Sequence, residues 1–315
     1  MKLIGTGSSI PHRVIGNDDL SRFLDTSEEW IYPRTGIKYR HVMSDERLED
    51  LGADAAMKAL ADAGLKPEDI DFFICSNVVN EYVTPSLSCI IETKTGLRCP
   101  CIDINCACPG FVYAMDIAET YFQAGKVNNV LIVCAEEPTR MVAWNDRSTC
   151  VLFGDGAGAA VFTKGDKFKA SKLYTQPDMS KIWEYRTLEP TPFIEKAETN
   201  VPMQMKGRDV FKFAVTTSVR DINYILDKCG LKAGDIDFFL VHQANMRIIE
   251  GIRQGLGVDA EKFPVNIEDH GNSSSASCPI LLDECHRKGL FKPGDKIMFS
   301  AFGAGLMSGV ALLEW

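Results

Sequence analysis

The 315-residue sequence contains no uninterrupted apolar run of about 20 residues, the length a helix needs to span a bilayer. Its first residues, Met1-Lys2-Leu3-Ile4-Gly5-Thr6-Gly7-Ser8-Ser9-Ile10-Pro11, also lack the apolar stretch of a secretion signal, so no membrane partner is expected. Excess positive charge is missing as well. Lys and Arg number 34 against 43 Asp and Glu, the formal net charge is -9 and the pI is near 5.2. This speaks against broad nucleic-acid binding and leaves room only for a local basic patch that could receive an acidic protein. A disulfide framework is absent too. The eleven cysteines are odd in number and often lie inside apolar runs such as Phe73-Ile74-Cys75 and Ile132-Val133-Cys134, as expected for reduced thiols in a cytoplasm. What is present is ordinary globular material, 45% hydrophobic and 24% charged, enough for a large core in one or two domains.

One pattern occurs twice. Gly64-Leu65-Lys66-Pro67-Glu68-Asp69-Ile70-Asp71-Phe72-Phe73-Ile74 is echoed by Gly230-Leu231-Lys232-Ala233-Gly234-Asp235-Ile236-Asp237-Phe238-Phe239-Leu240, each after an amphipathic helical pattern. In both, a glycine ends a helix, a polar turn follows and an apolar strand begins, the pattern of an α/β unit with a buried sheet. A fainter pair joins Phe153-Gly154-Asp155-Gly156 to Phe302-Gly303-Ala304-Gly305, glycine-rich turns running into terminal strands. So long a period is no solenoid; it predicts two similar halves, residues 1–164 and 165–315, facing each other.

Three scattered segments carry the chemistry. In Asn105-Cys106-Ala107-Cys108-Pro109-Gly110-Phe111, the proline and the helical spacing of the following apolar residues place Cys108 at a helix N-terminus, where the dipole favours a thiolate. In Phe238-Phe239-Leu240-Val241-His242, the apolar strand delivers an imidazole at its C-terminal end, a place where open sheets gather ligands. In His270-Gly271-Asn272-Ser273-Ser274-Ser275, a polar loop leads into a helix Cys278 to Arg287, with Ser277 as its cap. Read singly, these are buried cysteines, a core histidine and a turn. Read together, they offer a nucleophile and two neutral donors able to hold an enolate oxygen.

On these segments the chain resembles the 3-oxoacyl-(acyl-carrier-protein) synthase III family of the thiolase-like superfamily over essentially its full length. Further motifs of the resemblance are Asp25-Thr26-Ser27-Glu28-Glu29-Trp30-Ile31, Arg34-Thr35-Gly36-Ile37 and Phe153-Gly154-Asp155-Gly156-Ala157-Gly158. It implies a five-layered α/β/α/β/α fold built from two duplicated halves, a homodimer, and a ping-pong reaction without a bound cofactor or metal. Acyl-CoA would acylate Cys108, and malonyl-acyl carrier protein would then lose carbon dioxide and attack. His242 and Asn272 would hold the enolate, the amides of Cys108 and Ala304 would form an oxyanion hole, and Phe302 would keep the site apolar.

The resemblance also implies a ligand path. Trp30 would stack on the CoA adenine, Arg34 and Arg147 would lie near the nucleotide phosphates, and Thr26, Gly207, Phe211, Ala244 and Asn245 would line the nucleotide and pantetheine. Lys206, Arg208, Lys212, Arg247 and Arg253 would form the mouth for the acidic carrier protein, Lys212 and Arg247 foremost. Thr84 stands where the family places a bulky aromatic at the end of the partner's acyl pocket, so primers longer or more branched than acetyl are expected. Arg208 and Pro109 depart from the usual residues. Three alternatives stay open: a starter-unit enzyme of polyketide or other specialised metabolism, a non-catalytic acyl-binding or dimerising homologue, and a metal or redox protein built on Cys99, Cys101, Cys106 and Cys108.

Overall fold

The computed structural model describes residues 1–187, 192–193 and 199–315. Apolar strands with buried residues on both faces build two sheets. Across the first, the order is Lys2–Ser9, Gly156–Thr163, Asn129–Glu136, Phe72–Ser76, Cys101–Ile104; the last three are mutually parallel and the others pair antiparallel. The second repeats this with one strand fewer: Phe168–Thr175, Met307–Glu314, Lys296–Gly303, Phe238–Val241, the final pair parallel.

Strand alternation divides the core into layers. Ile74 and Ile132 point inward and join Phe299 and Ala311 of the second sheet around two central helices, Gly110–Gln123 and Ser277–Arg287. Phe73, Leu131 and Val133 point outward beneath Leu48–Ala63 and Leu87–Thr95. On the far side, Phe239 and Met298 pack under Gly207–Cys229 and Met246–Leu256. The result is the α/β/α/β/α stack. Close layer contact explains the early glycines, because a Cβ at Gly5 would come within 2.4 Å of Ala59 O.

The repeated segment folds the same way twice. Gly64 and Gly230 end their helices in the left-handed region at φ 65° and 67°. Asp69 then accepts from Lys66 N, and Asp235 from Lys232 N, both at 2.8 Å, closing the turns that launch the parallel strands. Two helix starts differ from the sequence reading. Pro109 is the N-cap rather than the first helical residue, and Ser277 is the first helical residue rather than the cap, its hydroxyl being engaged elsewhere. Among the described residues no helix is long and apolar enough to cross a membrane.

Candidate active site

Cys108 is positioned by a loop with little freedom. Asn105 Oδ1 accepts from Ala107 N at 3.3 Å, and Ala107 takes a left-handed φ of 49°, so the chain turns sharply before the central helix. On the other side, Gly303 has no room for a side chain: a Cβ there would lie 2.9 Å from Cys108 N and 3.1 Å from Cys108 Cβ. The second sheet therefore brings backbone directly against the nucleophile and places Ala304 beside it. Neither the Cys108 nor the Ala304 amide has a hydrogen-bond partner among the described residues, leaving two donors for a developing oxyanion.

The expectation of a resting thiolate is corrected. Cys108 opens partly on a cavity, yet protein encloses it so deeply that desolvation pushes the thiol up to about 12. Ser274, whose hydroxyl points at Sγ from 3.7 Å, opposes the rise, and the charge of Glu136 adds to it. Burial outweighs the helix N-terminus here, so the thiol is neutral until a substrate reaches it.

His242 follows the strand Phe238–Val241, is 1% exposed, and is held down to about 3 by burial. It is therefore a neutral imidazole, and Ser277 anchors one ring nitrogen. Ser277 Oγ accepts from Gln243 N at 3.4 Å and lies 2.6 Å from His242 Nδ1. With the Ser277 hydroxyl donating to Nδ1, the hydrogen of the neutral ring sits on Nε2. Asn272 is fixed comparably: Oδ1 accepts from Ser274 N at 3.0 Å, which leaves Nδ2 as its donor. Its backbone bonds Leu152 O at 2.8 Å and receives Gly154 N at 3.1 Å, tying the loop to the Phe153-Gly154 turn. His270 is occupied elsewhere, with Nε2 2.5 Å from Glu284 Oε1.

Cys108, His242, Asn272, Phe302 and Ala304 line one cavity of about 920 Å³, and the Phe302 ring stands 5.3 Å from the His242 ring, edge-on. The cavity runs past Ala244, Gly207 and Phe211 to Trp30, Arg34, Arg147, Asn245 and Arg247. Each of the Arg34 and Arg147 guanidiniums lies 4.9 Å from the Trp30 ring centroid, and Arg247 bonds Pro33 O at 2.9 Å. An aromatic ring beside two cations, at the end of an apolar channel, suits a nucleotide joined to a long arm.

Thr26, Thr84 and Lys212 stand off this wall. Thr26 Oγ1 is buried without a partner, whereas Thr84 and Lys212 are exposed. The four cysteines of the metal reading do not converge; Cys101 lies 3.4 Å from Cys89 instead, and the only group of three possible ligands among the described residues is His12, Asp45 and Glu46.

Comparison with known proteins agrees with this geometry. The C-terminal family model of 3-oxoacyl-(acyl-carrier-protein (ACP)) synthase III matches residues 226–315, and its companion matches residues 102–177. A beta-ketoacyl-(acyl-carrier-protein) synthase III of Clostridium acetobutylicum is 40% identical over 100% of this chain and 98% of its own. The chain belongs to the 3-oxoacyl-(acyl-carrier-protein) synthase III family. The solved synthase III of Aquifex aeolicus superposes with a TM-score of 0.92 at 38% identity, covering 100% of this chain and 99% of that one. A priming beta-ketosynthase from the R1128 polyketide pathway gives 0.94 at 33%, covering 99% and 95%. As a member of the synthase III family, this chain is a condensing acyltransferase that initiates fatty acid synthesis.

Sequence reasoning missed the serines. Ser277, which bonds His242 Nδ1, read only as a helix cap, and Ser274, which faces Cys108, as a loop residue. A local echo held the signal, one residue out of step with the repeat: Asn105-Cys106-Ala107-Cys108 matches Asn272-Ser273-Ser274-Ser275 at its asparagine.

Proposed function

We propose that acyl-CoA acylates Cys108 and that malonyl-acyl carrier protein, bound through the same channel, then decarboxylates and attacks the acyl-enzyme to give a 3-oxoacyl-acyl carrier protein. The observation that carries this reading is the convergence on one cavity of a thiol, a neutral imidazole and an amide whose Nδ2 has no partner among the described residues. Neutral donors suit an enolate because its charge develops only as carbon dioxide leaves. The Cys108 and Ala304 amides serve the tetrahedral intermediates of both half-reactions. Trp30, Arg34 and Arg147 receive the nucleotide, and Arg247 and Lys212 receive the carrier protein.

The working unit is a homodimer in a reducing cytoplasm. Cys101–Ile104 is the edge strand of its sheet with Ile102 exposed, Val83 in the neighbouring loop is 89% exposed, and the cysteines are unbridged. In such a dimer the small Thr84 leaves the partner's acyl pocket deep, favouring primers longer or more branched than acetyl. Incubation with a panel of acyl-CoAs, followed by intact mass and addition of malonyl-acyl carrier protein, tests the whole reading. An adduct on Cys108 that the acceptor discharges into a 3-oxoacyl product supports it and names the primer. A persistent adduct favours a specialised acyltransferase, and absence of any adduct overturns it.

A further inference from the structure

Glu136 ends the strand Asn129–Glu136 with 1% exposure, and no cation acts on its carboxylate among the described residues. Hydroxyls and backbone amides hold it instead. Ser275 Oγ donates to Oε1, Val78 N donates to Oε2 at 3.1 Å, and the neighbouring Ser274 hydroxyl and Ser275 amide also favour the charged form. Ser76 Oγ supports Ser275 Oγ from 3.1 Å. Ser274 faces both ways: its hydroxyl reaches Cys108 Sγ at 3.7 Å from a left-handed φ of 52°. Thiol, hydroxyl and carboxylate form one buried chain.

An ionised carboxylate buried without a cation is costly, so such a group stays ready to take a proton. Burial pushes Glu136 up to about 7, whereas His242 at about 3 is too weak a base to carry the thiol proton. Three thiols feel its charge, Cys108 ahead of the central helix, Cys75 on the neighbouring strand and Cys134 on its own, and the next residue, Glu137, is paired with Arg140. Burial raises all three thiols, so the Glu136 carboxyl titrates before them.

We propose that Glu136, acting through the Ser274 hydroxyl, accepts the Cys108 thiol proton during acyl transfer and returns it when the acyl-enzyme is discharged. In the first half-reaction the Cys108 sulfur bonds the carbonyl carbon, and the bond from that carbon to the CoA sulfur breaks. The electron pair leaves with CoA as thiolate, which water protonates. The thiol proton passes to Ser274 Oγ as the serine proton passes to Glu136. In the second half-reaction the carbon–sulfur bond to Cys108 breaks, the pair returns to sulfur, and the proton retraces its path. Glu136 touches no substrate and is a positioning residue.

This rests on acyl transfer from CoA, so the test includes a reagent that needs no such substrate. Single-turnover acylation by acetyl-CoA and isobutyryl-CoA, and alkylation of Cys108 by iodoacetamide, are followed from about pH 5.5 to 9.5. The variants are Glu136→Gln, Glu136→Asp, Ser274→Ala and the Glu136→Gln/Ser274→Ala pair. Wild-type acylation is expected to rise through an inflection near pH 7. Glu136→Gln loses the inflection and acylates roughly 100-fold slower at neutral pH, while its alkylation becomes faster because a repelling charge is gone. Ser274→Ala reproduces the acylation loss, the pair is no slower than either single variant, and Glu136→Asp recovers part of the rate.

Faster acylation and alkylation together in Glu136→Gln would mean that the charge only repels the thiol, and the relay is overturned. So it is if the inflection survives, or if Ser274→Ala acylates at the wild-type rate; that variant also decides the matter should Glu136→Gln not fold. A wild type alkylated at Cys108 yet loaded by neither thioester overturns the acyl-transfer reading and the relay with it.

Discussion

The loops entering the two central helices are built alike and do opposite things. Before Gly110–Gln123, Asn105 Oδ1 accepts from Ala107 N and Ala107 turns left-handed; before Ser277–Arg287, Asn272 Oδ1 accepts from Ser274 N and Ser274 turns left-handed. The next residue is Cys108 in one loop and Ser275 in the other. The facing strand ends differ in step. Phe238–Val241 delivers His242 and Lys296–Gly303 ends in Gly303 near Cys108, whereas Phe72–Ser76 and Asn129–Glu136 end in Ser76 and Glu136 near Ser275. With a glycine at the third place, Cys108 opens on the cavity; with a glutamate there, Ser275, Ser76 and Glu136 bond one another and close. Duplication supplied two equivalent scaffolds, and a few residues decided which became a reaction site.

The largest expected effect comes from removing the two matched residues. Cys108→Ala should abolish acyl-enzyme formation, a loss beyond ~10³-fold, with little change in melting temperature. Ser275→Ala should do the reverse in kind, lowering stability by about 1–3 kcal/mol because the Glu136 carboxyl loses a buried donor, with a smaller loss of acylation. Intact mass and thermal unfolding measure both, and equal stability losses would break the comparison.

Next come the donors that only the open side possesses. His242→Ala and Asn272→Ala should each slow decarboxylation of malonyl-acyl carrier protein by about 10²–10³, as loss of an oxyanion donor does, while acylation falls less than about 10-fold. Carbon dioxide release against CoA release separates the steps; equal losses in both would assign these residues to acylation.

Glycine positions give a smaller, sharper contrast. A Cβ at Gly303 meets the Cys108 backbone at 2.9 Å, which cannot swing aside, so Gly303→Ala should cut acylation by roughly 100-fold. A Cβ at Gly110 meets chiefly Ser76 Oγ, at 1.9 Å, a side-chain atom that can rotate away at the expense of its bond to Ser275. Gly110→Ala should therefore cost mainly stability, about 1 kcal/mol for the lost hydrogen bond. If Gly110→Ala slows acylation as much as Gly303→Ala, the closed cluster is as tightly coupled to the nucleophile as the open side is.

These contrasts also show what the sequence could and could not reveal. The repeat, the helix launched after Cys108 and the imidazole at a strand end were legible because turns, caps and strand ends are written locally in residue type. Asn272 was legible only through its motif; alone it is one polar residue in a serine-rich loop. The neutral state of Cys108 was not legible, since a helix N-terminus is a local feature whereas desolvation depends on every layer packed around the thiol. Glu136 belongs to no motif, and only the meeting of both halves gives it two serines for company. Thr84, placed by resemblance, is exposed in one chain and acts on a pocket only if another copy brings it there.

The smallest effect concerns pH and stability, where the two sides should pull in opposite directions. Burial lowers His242 from 6.5 to about 3, so below about pH 6.5 the unfolded chain takes a proton that the native chain refuses, and stability is lost as pH falls toward 3. Glu136 and Asp155 are raised to about 7, so the native chain holds their protons where the unfolded chain does not; their contribution is fully present below the unfolded carboxyl range and is lost as pH rises through 7. In the wild type these slopes oppose and partly cancel. Denaturant midpoints from pH 4.5 to 8 should therefore vary little, whereas His242→Gln should gain stability relative to wild type on the acid side, and Glu136→Gln should gain on the alkaline side, each by about 1–2 kcal/mol. Parallel profiles for the two variants would mean that the imidazole and the carboxyl titrate as one coupled cluster, and the division into an open and a closed side would fail at its electrostatics.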